Sequence, residues 1–154
     1  MTGAPRPVVT AYVSAGSNID PVPNLRAALA GLRRRYGALR VSPVYRTAAV
    51  GFDGDDFLNL VVAFDTDEPA TDVVAELERL HVQAGRQRGP SAFASRTLDL
   101  DLLLYGDAVI PASPVKVPRD DIHKYAFVLG PLADLAPDLV HPVRGETIGA
   151  MWAA

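Results

Sequence analysis

The alternation of apolar and polar positions along the chain predicts four strands. Residues 8–15, 38–46, 57–65 and 98–105 are rich in β-branched, aromatic or leucine side chains and are bounded by turn-forming residues. The last segment has the strongest pattern, with a leucine at every second position from Leu98 to Leu104. Pro43 lies inside the second segment, and because proline donates no backbone hydrogen bond, it indicates an edge strand or a bulge there.

Helical periodicity appears in the segments between these strands. Apolar side chains fall on one face of a helix over residues 21–36, at Val22, Leu25, Leu29, Leu32 and Tyr36. A second helix is predicted to start after Pro69 and to end at about residue 83. Residues 125–136 predict a short third helix and residues 147–152 a terminal turn.

The order of these elements is strand, helix, strand, strand, helix, strand. This is the ferredoxin-like α+β pattern, in which helices packed on one face cover an antiparallel sheet. The chain has 154 residues and no repeat, linker or low-complexity tract divides it. We therefore expect a single domain over residues 1–154.

Composition excludes several classes of function. The chain has no Cys, which rules out disulfides, Cys-ligated zinc and thiol catalysis. Its 15 Lys and Arg against 18 Asp and Glu give a net charge of -3, which argues against a nucleic-acid partner. No segment is apolar enough for a membrane span or a secretory signal. We expect a cytoplasmic monomer that binds small molecules.

Two aspartates in the last predicted strand are the main candidates for chemistry. Asp99 and Asp101 alternate with the leucines, so both point to the face opposite them, about 7 Å apart. Carboxylates this close repel each other unless a cation lies between them. Mg²⁺ fits best, because it takes one or two carboxylates and completes its shell with water and substrate phosphates. The alternative is that both aspartates face solvent on an exposed sheet face.

Arginines cluster just before this aspartate pair. Arg86, Arg88 and Arg96 lie within about fifteen residues of it, and the guanidinium fork suits phosphate oxygens. The combination indicates a polyphosphate held by arginines on one side and by carboxylate-bound Mg²⁺ on the other. The alternative is a set of plain salt bridges between Arg96 and the aspartates. Loops over residues 47–56 and 85–95 are the candidates for closing over such a site.

Several short motifs, in this order and spacing, resemble a known enzyme family. They are Gly16-Ser17-Asn18, Tyr45-Arg46-Thr47, Phe57-Leu58-Asn59, Gly85-Arg86-Gln87-Arg88, Arg96-Thr97-Leu98-Asp99-Leu100-Asp101 and Phe127-Val128-Leu129-Gly130-Pro131-Leu132. Together they resemble the 6-hydroxymethyl-7,8-dihydropterin pyrophosphokinases of folate biosynthesis. These enzymes move a pyrophosphoryl group from ATP to a pterin alcohol.

The resemblance implies roles for particular residues. ATP would be the co-substrate, and two Mg²⁺ ions would bind Asp99 and Asp101. The phosphates would be contacted by Arg86, Arg88, Arg96 and Arg119, of which Arg86 and Arg96 would act in catalysis together with the two aspartates. The pterin would be held by Thr47, Val50, Phe57, Asn59 and Phe127.

The chain departs from the family pattern around this centre. His81, Phe93, Arg119 and Tyr125 stand where the family usually has Glu, Trp, His and Arg. These changes leave the acceptor open. The protein is a hydroxymethyldihydropterin pyrophosphokinase, a paralogue that uses another alcohol, or a weakly catalytic pterin- or nucleotide-binding module.

The three histidines show no spacing typical of a metal site. His81 shares the apolar face of the second helix with Leu77 and Ala84, which indicates a hydrogen-bonded core histidine. His123 and His141 are expected at the surface.

Overall fold

A computed structural model describes residues 6–48, 54–85 and 98–154. Within these ranges the chain forms strands and helices in the order β1 (Val9–Ser17), α1 (Pro21–Tyr36), β2 (Arg40–Val41), β3 (Tyr45–Thr47), β4 (Phe57–Thr66), α2 (Ala70–Gln83), β5 (Asp99–Tyr105), α3 (Asp121–Lys124), α4 (Ala126–Leu135) and α5 (Ile148–Ala153). No helix in the described ranges is long and apolar enough to cross a membrane.

The sheet is antiparallel, with β1 near its centre. Its strands lie in the order β2, β4, β1, β5, and β3 also pairs with β4. The predicted strand over residues 38–46 is divided in two, because Pro43 interrupts the ladder, as the sequence indicated. At the break, the backbone N–H of Ser42 donates to the carbonyl of Val61, and the hydroxyl of Ser42 accepts the N–H of Val61, each at 2.9 Å.

The helices α1 and α2 cover one face of the sheet, as expected. The first core cluster lies between them and the strands and includes Leu25, Ala28, Leu32, Val73, Leu77, Leu80, Val13, Leu60, Val62, Phe64, Leu100 and Leu102. Tyr36, at the end of α1, stacks on Phe64 with ring centroids 4.0 Å apart. Val22, in the first turn of α1, is 48% exposed, so the buried stripe of this helix starts at Leu25.

The opposite face is covered too, which the expectation of helices on one face did not include. A second core cluster joins β4 and β5 to α3, α4 and α5 through Val61, Leu103, Leu104, Ile122, Val128, Leu132, Ala133 and Ile148. The reason lies in β4, where residues 59–64 are all buried. A strand that is apolar on both faces needs a layer on each side. The α+β antiparallel class is confirmed, with this third layer added.

Charged residues join α1 to α2 and to the segment that precedes α2. Arg79 donates from Nε and Nη2 to the two carboxylate oxygens of Glu76 at 2.7 and 2.6 Å. Arg35 lies 2.6 Å from Glu68 and 3.6 Å from Glu76. We name Arg35, Glu68, Glu76 and Arg79 the salt-bridge cluster.

Candidate active site

Strand register brings the predicted site residues onto one face of the sheet. Gly16 of β1 lies opposite Asn59 of β4 on one side and Asp99 of β5 on the other. Two residues back, Ser14 lies opposite Asp101. Directly opposed residues of an antiparallel ladder project to the same face. Asn59, Asp99 and Asp101 therefore share the face that carries the second core cluster.

Gly16 makes room for the side chain of Asn59. A Cβ at position 16 would lie 2.8 Å from Oδ1 of Asn59, closer than real contacts allow. Asn59 is 8% exposed, and its Nδ2 donates to Oγ1 of Thr47 at 2.9 Å. Thr47 lies opposite Phe57 in the ladder between β3 and β4, so Phe57 also projects to this face. The structure thus brings together three of the residues predicted to hold the pterin.

The fourth described pterin residue, Phe127, lies in the first turn of α4. Its ring is stacked on Tyr125, with centroids 5.0 Å apart and an interplanar angle of 22°. α4 is fixed to β3 by Tyr45, whose hydroxyl donates to Oδ2 of Asp134 at 2.5 Å. The Tyr45 ring also packs where a Cβ of Gly130 would be, 2.8 Å away. These contacts hold α4, and with it Phe127, against the face that carries Thr47 and Asn59.

Arg119 lies beside the aspartate pair. Its Nη2 is 3.5 Å from Oδ1 of Asp101, and its Nε is 3.4 Å from Oδ1 of Asp121. Burial lowers the pKa of the Arg119 guanidinium, but Asp101, Asp121 and Asp99 outweigh this effect, and its pKa is raised overall. We name Asp99, Asp101, Asp121 and Arg119 the aspartate site. Arg119, which the resemblance predicts to contact the phosphates, thus lies next to the predicted metal ligand Asp101, and its contact with phosphates stays a prediction.

The donors of the aspartate site suit Mg²⁺. Asp99 and Asp101 are both partly buried, and the side chain of Asp101 is 27% exposed. The third layer thus covers part of the sheet face that carries the two aspartates. In the described ranges no group of three or more His, Asp or Glu side chains is arranged to enclose a metal ion. Two carboxylates with substrate phosphates are a common Mg²⁺ ligand set.

His81 is a hydrogen-bonded core residue, as its helical spacing indicated. It is 5% exposed, and its Nε2 accepts the backbone N–H of Leu100 at 2.8 Å. Because Nε2 accepts, Nδ1 carries the proton and faces Oε2 of Glu78 at 3.1 Å. Leu100 lies between the two aspartates on the edge strand, so His81 holds the backbone that positions them. The helical spacing of His81 predicted its burial but not this contact, which joins residues 19 positions apart.

His141 corrects the expectation of a surface histidine. It is 4% exposed, and its Nδ1 accepts the backbone N–H groups of Val143 and Arg144 at 3.2 and 3.1 Å. Burial, followed by the charge of Arg144, lowers the pKa of this imidazole. His123 is exposed, as expected.

Several predicted site residues lie outside the described ranges. These are Val50, Arg86, Arg88, Phe93 and Arg96. Their roles stay predictions.

Comparison with known proteins identifies the family. The model of the family described as 7,8-dihydro-6-hydroxymethylpterin-pyrophosphokinase (HPPK) matches residues 12–137. The 2-amino-4-hydroxy-6-hydroxymethyldihydropteridine pyrophosphokinase of Pseudomonas aeruginosa is 39% identical over 135 residues, which are 85% of this chain and 83% of that protein. The protein of the same name from Haemophilus influenzae is 35% identical over 139 residues, or 88% and 86% of the two chains.

Solved structures share the fold. A crystal structure of wild-type Plasmodium falciparum HPPK-DHPS with pterin and p-hydroxybenzoate superposes with a TM-score of 0.74 at 14% identity. The match covers 98% of this chain, which spans less than half of that one, 44%. At this identity the likeness concerns the fold alone. Since the family model and the relatives cover most of its length, the chain belongs to the 7,8-dihydro-6-hydroxymethylpterin-pyrophosphokinase family.

Proposed function

We propose that this protein transfers the pyrophosphoryl group of ATP to the hydroxymethyl group of 6-hydroxymethyl-7,8-dihydropterin and releases AMP, a step of folate biosynthesis. One observation carries the proposal beyond family membership. The ladder places Asn59 on one side of Gly16 and Asp99 on the other, on the same face. An amide suited to a pterin and a carboxylate suited to Mg²⁺ thus lie on strands that flank one glycine. This is the arrangement that a phosphate donor and an alcohol acceptor need in order to meet.

The nucleotide side is assigned to the aspartates and arginines. Asp99 and Asp101 would hold two Mg²⁺ ions, which neutralise charge on the phosphates when bound. Arg119 would contact the phosphates, and Arg86, Arg88 and Arg96 would complete the cationic side. Such transfers depend mainly on positioning and charge neutralisation, so no covalent intermediate on the protein is needed.

Replacing any one of Arg86, Arg88 and Arg96 by Ala should slow pyrophosphoryl transfer about tenfold to a hundredfold.

The acceptor side is assigned to Thr47, Val50, Phe57, Asn59 and Phe127. The side-chain amide of Asn59 offers a donor and an acceptor to the polar edge of the pterin, and the hydrogen bond that its Nδ2 donates to Thr47 fixes its orientation. Phe57 and Phe127 would stack on the ring. The alcohol oxygen then attacks the β-phosphorus in line, the bond from this phosphorus to the bridging oxygen breaks and leaves that oxygen on AMP, and the alcohol proton passes to solvent water.

A second candidate function is transfer to a different alcohol. Tyr125 is the observation in its favour, because it stacks on one face of Phe127 where the family usually has Arg. A ring at this place adds an apolar wall and removes a cation. A pterin- or nucleotide-binding module with weak catalysis is the remaining alternative, and the complete aspartate pair argues against it.

We further propose that residues 1–154 act as one domain and as a cytoplasmic monomer without a nucleic-acid partner. Both core clusters are built on one sheet and share β4 and β5. The net charge of -3 does not favour binding to a phosphate backbone.

AMP release tests the proposed function. Purified protein with ATP and Mg²⁺ should form AMP only when 6-hydroxymethyl-7,8-dihydropterin is added, in equal amount to pterin pyrophosphate. The Asp101→Asn variant should be nearly inactive, whereas Asp65→Asn, a surface aspartate at the far end of β4, should match the wild type. AMP formation with another alcohol but not with the pterin would establish the second candidate. No acceptor-dependent AMP at all would leave only the binding module.

A further inference from the structure

The guanidinium of Arg119 lies among three carboxylates without forming a close pair with any of them among the described residues. It is 3.5 Å from Asp101 and 3.4 Å from Asp121, and the charge of Asp99 also acts on it. Its Nε is buried and has no hydrogen-bond partner in the described part of the chain. In the salt-bridge cluster, by contrast, Arg79 bonds Glu76 at 2.6 and 2.7 Å. The Arg119 contacts are too long for strong charge-assisted hydrogen bonds.

The backbone at Arg119 is fixed, so only its side chain has freedom to move. The N–H of Arg119 donates to the carbonyl of Leu103 on β5 at 2.9 Å. Val117 before it and Ile122 after it are buried. Asp121, two residues further along, places a second carboxylate 3.4 Å from the Nε of Arg119.

A cation bound at Asp101 and the guanidinium of Arg119 compete for the same carboxylate. A metal ion bound to the Asp101 carboxylate would lie within a few ångströms of the guanidinium, and two positive charges at this separation repel strongly. Removing the guanidinium from Asp101 has a cost unless another anion receives it. The phosphates of a nucleotide are such an anion, and they suit the arginine fork.

We propose that Arg119 is an internal counter-ion, which occupies the Asp101 side of the metal site until the nucleotide arrives and then transfers to its phosphates. Metal would therefore bind well only together with the nucleotide, and a metal ion alone would be kept out. This inference rests on the proposed function in placing phosphates beside Asp101. It concerns the order of binding, which the transfer reaction itself does not fix.

Binding of Mn²⁺ alone tests the inference without turnover. Mn²⁺ is added to wild type, Arg119→Met and Arg119→Lys in turn, and the free Mn²⁺ in each sample is measured by electron paramagnetic resonance. Arg119→Met should bind Mn²⁺ alone on the order of tenfold more tightly, because the charge of Arg119 no longer competes for Asp101. Arg119→Lys keeps the charge and should stay near the wild type. Arg40→Met is the matched control, since Arg40 forms an exposed pair with Asp65 at the similar distance of 3.4 Å. This variant should leave Mn²⁺ binding unchanged.

Binding of metal-free ATP, measured in EDTA, completes the test, because Arg119→Met should weaken it while strengthening Mn²⁺ binding. Arg119→Met should bind metal-free ATP about tenfold more weakly than wild type, because a charge-assisted contact is lost. Equal Mn²⁺ binding by wild type and Arg119→Met, including no binding by either, would overturn the inference. The inference would also be overturned if Arg119→Lys bound Mn²⁺ more tightly than wild type and as tightly as Arg119→Met. Acceptor-dependent AMP formation by the same wild-type preparation reports on the proposed function separately.

Discussion

The salt-bridge cluster and the aspartate site are built from the same residue types, arginine and carboxylate, with opposite geometry. In the cluster the fork of Arg79 meets both oxygens of Glu76 at 2.6 and 2.7 Å, and the Glu76 side chain is 1% exposed. At the aspartate site Arg119 stays 3.4 to 3.5 Å from Asp121 and Asp101. Matched forks stabilise a fold, whereas loosely held arginines remain available to a ligand.

The charge balance of the carboxylates also differs between the salt-bridge cluster and the aspartate site. Hydrogen bonds from Arg79 lower the pKa of Glu76, outweighing the burial that raises it, so this carboxyl is stabilised as an anion. Its partners are Arg79 on the same helix and Arg35 on α1. The aspartates of β5 instead bring negative charge together on one strand face, where repulsion favours an added cation. Variants that remove charge from each region should therefore have opposite consequences for activity and stability.

The largest expected effect is on turnover at the aspartate site. Asp99→Asn or Asp101→Asn should reduce kcat on the order of a thousandfold, because charge neutralisation carries most of phosphoryl-transfer catalysis. The free energy of unfolding should change by less than about 1 kcal/mol, or rise through relieved repulsion. Steady-state kinetics and thermal melts of the same samples measure both. Turnover near that of the wild type in either variant would remove that aspartate from the metal site.

The next largest effect is on stability at the salt-bridge cluster. Glu76→Gln should lower the free energy of unfolding by about 1 to 3 kcal/mol, since it weakens two charge-assisted hydrogen bonds at a buried oxygen pair. The kcat should be unchanged. Urea unfolding measures the free energy of unfolding of Glu76→Gln and wild type, and turnover of the same samples measures kcat. Asp65→Asn, at an exposed carboxylate, is the control. A loss of kcat with unchanged stability would show that the two regions are not separate.

A smaller effect is expected where His81 supports the aspartate strand. His81→Leu leaves the N–H of Leu100 without its acceptor, at a cost of about 1 to 2 kcal/mol in stability. His81→Gln retains an acceptor and should recover part of the loss. Because Leu100 lies between the two aspartates, His81→Leu should also raise the metal concentration needed for half-maximal turnover. If Gln and Leu behave alike in both assays, the imidazole serves only to fill space.

The smallest effect concerns acid stability. The pKa of Glu76 is lowered on folding, so its stabilisation is fully present above the unfolded value of about 4.3 and is lost as pH falls through the folded value. The difference in Tm between wild type and Glu76→Gln should be constant from pH 7 to 5 and should shrink below pH 4. A difference that grows on acidification would contradict this assignment.

Local pattern predicted the elements well, because apolar spacing follows helix and strand geometry directly. The pair Asp99 and Asp101 could be placed on one face from alternation alone. Alternation did not predict the third layer, although the unbroken apolar segment of β4 already required cover on both faces.

Long-range contacts could not be predicted from the chain. The pairing of Asn59 and Asp99 with Gly16 depends on register, and the approach of Arg119 to Asp101 depends on how residues 106–118 turn back along β5. His81 and Leu100 are 19 residues apart in sequence, and no periodicity links them. The resemblance identified position 119 as important, and the structure shows its neighbours.

The hydrogen bonds that His81 and Arg119 form with the backbone of β5 have a consequence for self-association. An edge strand with unpaired N–H and carbonyl groups recruits strands from other molecules. On β5 the N–H of Leu100 is taken by His81 and the carbonyl of Leu103 by Arg119. The other edge is divided at Pro43 into strands of two and three residues. Among the strands that the structure describes, neither edge is a good template for a further strand, and this disfavours edge-to-edge aggregation through the strand that carries the aspartates.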